Sequence, residues 1–188
     1  YYDRSGYFYG DVTVGGFRKT NMWEDGVVNI NGRYFSNLMD AGHTKVRQFV
    51  NASYVKGYNR TVYQELLLGR GWRTAKGFVP TGDERITLGL ETVYFTPWYY
   101  YGFKFALYHG ADFTVISKSG EKSFDRKNMF PSIKAGIRML NDNLVFPTLS
   151  IDVNYYIRTA DYKPSLSVGV STSLPRLFGA PQNFKPQV

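Results

Sequence analysis

Few side chains in this sequence could make or break bonds. Among 188 residues there is no cysteine, and the only histidines are His43 and His109. A thiol nucleophile, a disulfide framework and a cysteine-ligated metal are thereby excluded. Histidine-based acid–base chemistry needs a partner acid or nucleophile, and neither histidine has a sequence context that marks one. Carboxylates are the remaining candidates. Glu91 and Asp152 could act as an acid–base pair, but acids in alternating sequence commonly balance cations on the same face, here Lys134 and Arg138. No catalytic residue, metal or cofactor is expected.

The net charge is +8, from 23 Lys and Arg against 15 Asp and Glu. A nucleic-acid-binding chain would gather such a surplus into a stripe. Here Lys104, Lys134, Arg138 and Arg158 occur one or two at a time between apolar residues, which describes a solvated polar face. Nucleic acid is not an expected partner.

The elements that carry these residues are strands. From Leu149 to Tyr155 the odd positions (Leu149, Ile151, Val153) are apolar and the even ones (Ser150, Asp152, Asn154) polar. Leu166, Val168 and Val170 alternate likewise with Ser165, Ser167, Gly169 and Ser171. Period-two stretches recur over 86–94, 103–113 and 132–139, and less regular ones fit near 6–18, 26–36 and 44–58. A period of two places each apolar set on one side of an extended chain. About eight strands are expected, with no convincing helix.

An apolar face must meet either a second sheet or lipid. Segments of ten residues or more favour lipid, since a tilted membrane strand needs about 9–11 residues whereas ordinary strands average about 5–6. Trp98, Tyr99, Tyr100 and Tyr101 follow one another at a turn, and Tyr155 and Tyr156 end another strand. Amphipathic rings at strand ends suit the two membrane interfaces. Short connections near 98–102 and 141–144 alternate with long polar ones near 59–83, 117–130 and 158–164, as in outer-membrane barrels. The fold expected is an all-β, antiparallel transmembrane β-barrel over 1–174, with a non-strand tail over 175–188. Leu149, Ile151, Val153, Leu166, Val168 and Val170 are expected to face lipid.

The long connection over 59–83 contains Leu68-Gly69-Arg70-Gly71-Trp72, and Leu90-Glu91-Thr92-Val93-Tyr94-Phe95-Thr96-Pro97 follows it. This order resembles the BamA-like superfamily: outer-membrane insertases, two-partner-secretion transporters and surface-antigen barrels. Lys134-Ala135-Gly136-Ile137-Arg138, Leu149 to Tyr155 and 165–174 resemble that family's later strands, so the likeness covers roughly residues 60–174. It implies a loop folded into the lumen, with the tip Arg70, Gly71 and Trp72 meeting inward acids. Glu91 takes the first acid position; Asp112 stands in for the second, because Gly110 is preceded by Tyr108 and His109 rather than by an acid. Trp72 replaces the family's Phe or Tyr, and Gly69 an aliphatic residue.

The resemblance further implies the second half of a sixteen-strand barrel, or one unit of a homo-oligomer, in the outer membrane of a Gram-negative bacterium. Its expected partners are the lipid bilayer with its lipopolysaccharide, and a client polypeptide or partner assembly subunits. Three roles stay open: a barrel that inserts or translocates protein; an anchor or exporter for an enzymatic domain outside this chain; and a small closed structural barrel.

Overall fold

The structure, a computed structural model, describes residues 5–19, 22–59, 64–65, 81–141, 148–158 and 163–173. The strands are β1 (Tyr7–Lys19), β2 (Met22–Phe35), β3 (Met39–Ala41), β4 (Thr44–Tyr58), β5 (Gln64–Glu65), β6 (Thr81–Gly82), β7 (Glu84–Tyr100), β8 (Phe103–Ser117), β9 (Met129–Leu140), β10 (Thr148–Tyr156) and β11 (Ser165–Ser173). One 3₁₀ turn, Arg126–Asn128, interrupts this all-β order. Nine strands form a single antiparallel sheet in the order β1-β2-β4-β7-β8-β9-β10-β11, with β3 folded back on β4; β5 and β6 pair separately. The sheet is open: β1 and β11 are its two edges.

The period of two decides the two faces, because residues paired across neighbouring strands share a side. One row reads Tyr7, Phe35, Phe49, Glu91, Gly110, Lys134, Asn154, Ser167 from edge to edge. The next row on the same face holds Arg33, Asn51, Gly89, Asp112 and Ser132. The opposite face carries Val12, Ile30, Leu88, Leu107, Ile133, Ile151 and Val168. These apolar side chains stay uncovered: Val12 is 67% exposed and Val168 63%. A continuous uncovered apolar surface of this kind needs an apolar partner.

Four details depart from the alternating pattern. β2 starts at Met22, so only residues 20–21 separate it from β1. β3 adds a short hairpin, whose Gly42 has φ +65°. β7 continues through Pro97 to Tyr100, with a register shift between Phe95 and Tyr99. Proline has no N–H to give a ladder, and the shift accommodates it. The connection to β8 is then just Tyr101 (φ 48°) and Gly102 (φ 82°), both left-handed as a two-residue hairpin turn requires. Trp98, Tyr99, Tyr100 and Tyr101 are 56–81% exposed at that turn. Most of the expected turn at 141–144 and the tail over 175–188 lie outside the described residues.

Candidate functional site

The charged residues of the polar face converge where β7, β8 and β9 run side by side. Glu91 on β7 is opposite Gly110 on β8, which is opposite Lys134 on β9. Because Gly110 has no side chain, Lys134 can cross β8; a Cβ there would come 3.0 Å from the Lys134 Cε. The Lys134 ammonium thus lies 3.3 Å from Glu91 Oε2 and 3.3 Å from Asp112 Oδ2. Arg138, four residues further along β9 on the same face, donates from Nη1 to Glu91 Oε1 at 2.7 Å. Both carboxylate oxygens of Glu91 are engaged. Asp112 has only Oδ2 engaged among the described residues.

A tyrosine orients this cluster. The Arg138 guanidinium lies 4.0 Å above the Tyr108 ring, within cation–π range. Tyr108 in turn lies across Gly136, where a Cβ would come 2.7 Å from its hydroxyl oxygen. The motif repeats nearby: Asp112 covers Gly89 and Asp152 covers Gly169. Gly89, Gly110, Gly136 and Gly169 each give a neighbouring side chain room to lie along the sheet. The side chains of Glu91, Asp112 and Lys134 are 14%, 16% and 20% exposed, so their charges interact through a medium less screening than bulk water.

Gly136→Val should unseat Tyr108 and, with it, the stacked face of Arg138. The added branch would also press on the Ile151 carbonyl oxygen. A loss of about 1–3 kcal/mol is expected, as for other overpacked sites, read as a lower denaturant midpoint. Gly32, with nothing within 4 Å of its Cβ position, should accept alanine with a much smaller change.

Glu91 and Asp112 therefore share the polar face, joined through Lys134. Arg70, Gly71 and Trp72 lie outside the described residues. Ile151, Val153, Leu166, Val168 and Val170 are exposed on the apolar face, and Leu149 is half-buried on the same register. His109 is also on the apolar face, stacked on Tyr94 with ring centroids 5.6 Å apart. Among the described residues no group of three or more His, Asp and Glu could hold a metal ion. Tyr108 and the receiving glycines were not singled out by sequence reasoning. One signal was there: Tyr108 is the one aromatic on a register that also holds Lys104, Ala106, Gly110 and Asp112.

The pairing of two acids with two bases leaves little unbalanced charge for proton transfer. It instead ties three strands together across the polar face. No protein-family model, curated protein or solved structure matches the chain.

Proposed function

We propose that the chain is wall of an outer-membrane β-barrel of the BamA-like superfamily, acting in insertion or translocation of proteins. One observation carries this reading: long antiparallel strands with an uncovered apolar face and an ion-paired polar face. Apolar side chains out and charges in is the distribution that a membrane barrel with a wet lumen requires. The exposed aromatics at Trp98–Tyr101 suit a membrane interface, where a ring can be half in lipid and half in water. The open sheet fits a barrel completed by further strands or by a second copy, since unpaired edges are costly in lipid.

The order of Arg70-Gly71-Trp72, Glu91 and the later strands supports the transport role. In this reading the loop tip meets the polar-face cluster and couples loop position to the wall. An anchor or exporter role would use the same wall without that coupling.

The chain should partition into detergent with a strand-dominated circular dichroism spectrum. Assembled into vesicles with the strands that complete it, it should speed the folding of a urea-denatured client barrel over empty vesicles. Arg70→Ala should remove that acceleration while leaving the spectrum intact. Solubility without detergent would sink the barrel. A folded wall that leaves client folding at the empty-vesicle rate would sink insertion and leave the anchor role.

A further inference from the structure

The connection between β8 and β9 is built against the apolar side of the sheet. Its anchor is Glu84, which shares the apolar register with Lys56 and Ser117, its cross-strand partners. The Tyr54 hydroxyl, also on that register, donates to Glu84 Oε1 at 2.8 Å, and the Ser123 hydroxyl reaches across from the connection to donate to Oε2 at 2.7 Å. The Ser119 N–H donates to Asp83 at 2.9 Å, and Asn128 donates from Nδ2 to the Lys122 carbonyl at 3.2 Å. Asp125 caps the 3₁₀ turn, and Arg158 from the end of β10 donates to the Arg126 carbonyl. Beside this segment Val115, on the apolar register, is only 1% exposed.

What the clamped segment displays is aromatic and basic. Phe124 is 64% exposed directly after the Ser123 anchor. Lys122 and Arg126 flank it, exposed and with no acid partner for their side chains among the described residues. Lys127 has only surface pairs, 3.6 Å from Glu121 and 3.9 Å from Asp125, and such pairs contribute little. On β4, beside the Glu84 anchor, Lys56 pairs with Glu84 at 4.0 Å and lies over the ring of Tyr58, which is 50% exposed. The clamped segment lies at the end of the sheet opposite the Tyr101–Gly102 turn, continuous with the apolar face.

We propose that segment 118–128 docks on the phosphate-bearing headgroup layer of an anionic bilayer leaflet, with Phe124 entering the interface and Lys122 and Arg126 meeting the phosphates. The proposal rests on the reading of the apolar face as lipid-facing. Charge complementarity selects the partner: a neutral surface would accept Phe124 but offer nothing to two exposed cations that have no acid partner among the described residues. An aromatic between basic residues matches an interface that is apolar below and anionic above.

The chain has no cysteine, so single labelling sites can be introduced cleanly. The full chain carrying Phe124→Cys with an environment-sensitive dye is folded into neutral phosphatidylcholine vesicles and into vesicles doped with phosphatidylglycerol. A quencher on the lipid headgroups reports docking. A second sample with the dye at Val168→Cys, and a quencher on the acyl chains, reports whether the apolar face meets lipid.

Quenching at position 124 is expected in the anionic vesicles and should fade with added salt. Each cation near an anionic surface contributes roughly five-fold in affinity, so K122A/R126A should weaken the docking about 25-fold. With position 168 quenched, equal quenching of position 124 in both vesicle types, or no change in K122A/R126A, overturns the headgroup proposal alone. A dye at 168 that stays in water overturns the lipid-facing reading, and this proposal with it.

Discussion

Arginine at Val153 or Val168 should destabilise the folded chain in a bilayer by about 2–4 kcal/mol, the cost of a cation on the lipid face near the midplane. Both side chains are already exposed, at 43% and 63%, so the substitution neither opens a cavity nor overfills a core. In water, an exposed valine replaced by arginine changes stability by roughly half a kcal/mol or less. The penalty therefore measures the solvent that touches the face. Ser167 is adjacent in sequence to Val168 but belongs to the polar face, in the row of Glu91 and Lys134. Ser167→Arg should cost far less. Unfolding by urea from vesicles supplies the comparison. Equal penalties at Val168 and Ser167 would mean that lipid does not distinguish the two registers, and the barrel reading would be lost.

That contrast rests on the part of the fold that was legible in the sequence. Alternation is a local property, and a strand that packs on one face must keep it or lose the face. Residues 149–155 and 165–171 keep it without exception, and β10 and β11 pair there in unbroken register. Where alternation weakens, boundaries become harder to place. Met22, Trp23 and Glu24 give no clean period, yet they pair with β1 beyond an irregularity between Gly15 and Phe17. The alternation is legible only as far as Tyr94, yet β7 runs on through Pro97 to Tyr100, with a register shift between Phe95 and Tyr99 that accommodates the missing ladder donor.

The site was legible in kind but not in its connections. Glu91, Lys134 and Arg138 could be placed on one face from period alone, and balanced charge was the natural expectation. Which oxygen meets which cation depends on contacts 43 and 47 residues apart along the chain. Those contacts depend on Gly110 leaving room for Lys134 to cross β8 and on the Tyr108 ring lying beneath the Arg138 guanidinium. The Glu84 clamp was not legible, because it joins Tyr54, Ser117 and Ser123 through hydroxyls that carry no pattern of their own.

The second large effect is expected at Glu91. Glu91→Ala removes the acceptor of Arg138 and one of the two acids that hold Lys134. Breaking a fully buried pair costs roughly 3–5 kcal/mol and an exposed one about 0–1. Side chains 14% exposed for Glu91 and 34% for Arg138 fall between those limits, so a loss of about 1–3 kcal/mol is expected. A double-mutant cycle with Arg138→Ala should return a coupling of at least about 1 kcal/mol, because the two residues share a 2.7 Å charge-assisted hydrogen bond. Arg138→Lys should recover little of it: the ammonium lacks the planar group that stacks on Tyr108 while bonding Glu91. The same cycles extend to Arg70. Glu91 has both oxygens occupied, whereas Asp112 retains Oδ1 among the described residues. A loop arginine entering this cluster should therefore couple to Asp112→Ala more strongly than to Glu91→Ala. Strict additivity of Arg70→Ala with both acids, alongside strong coupling of Arg138 to Glu91, would leave the cluster a brace of the sheet alone and withdraw the loop from the proposed function.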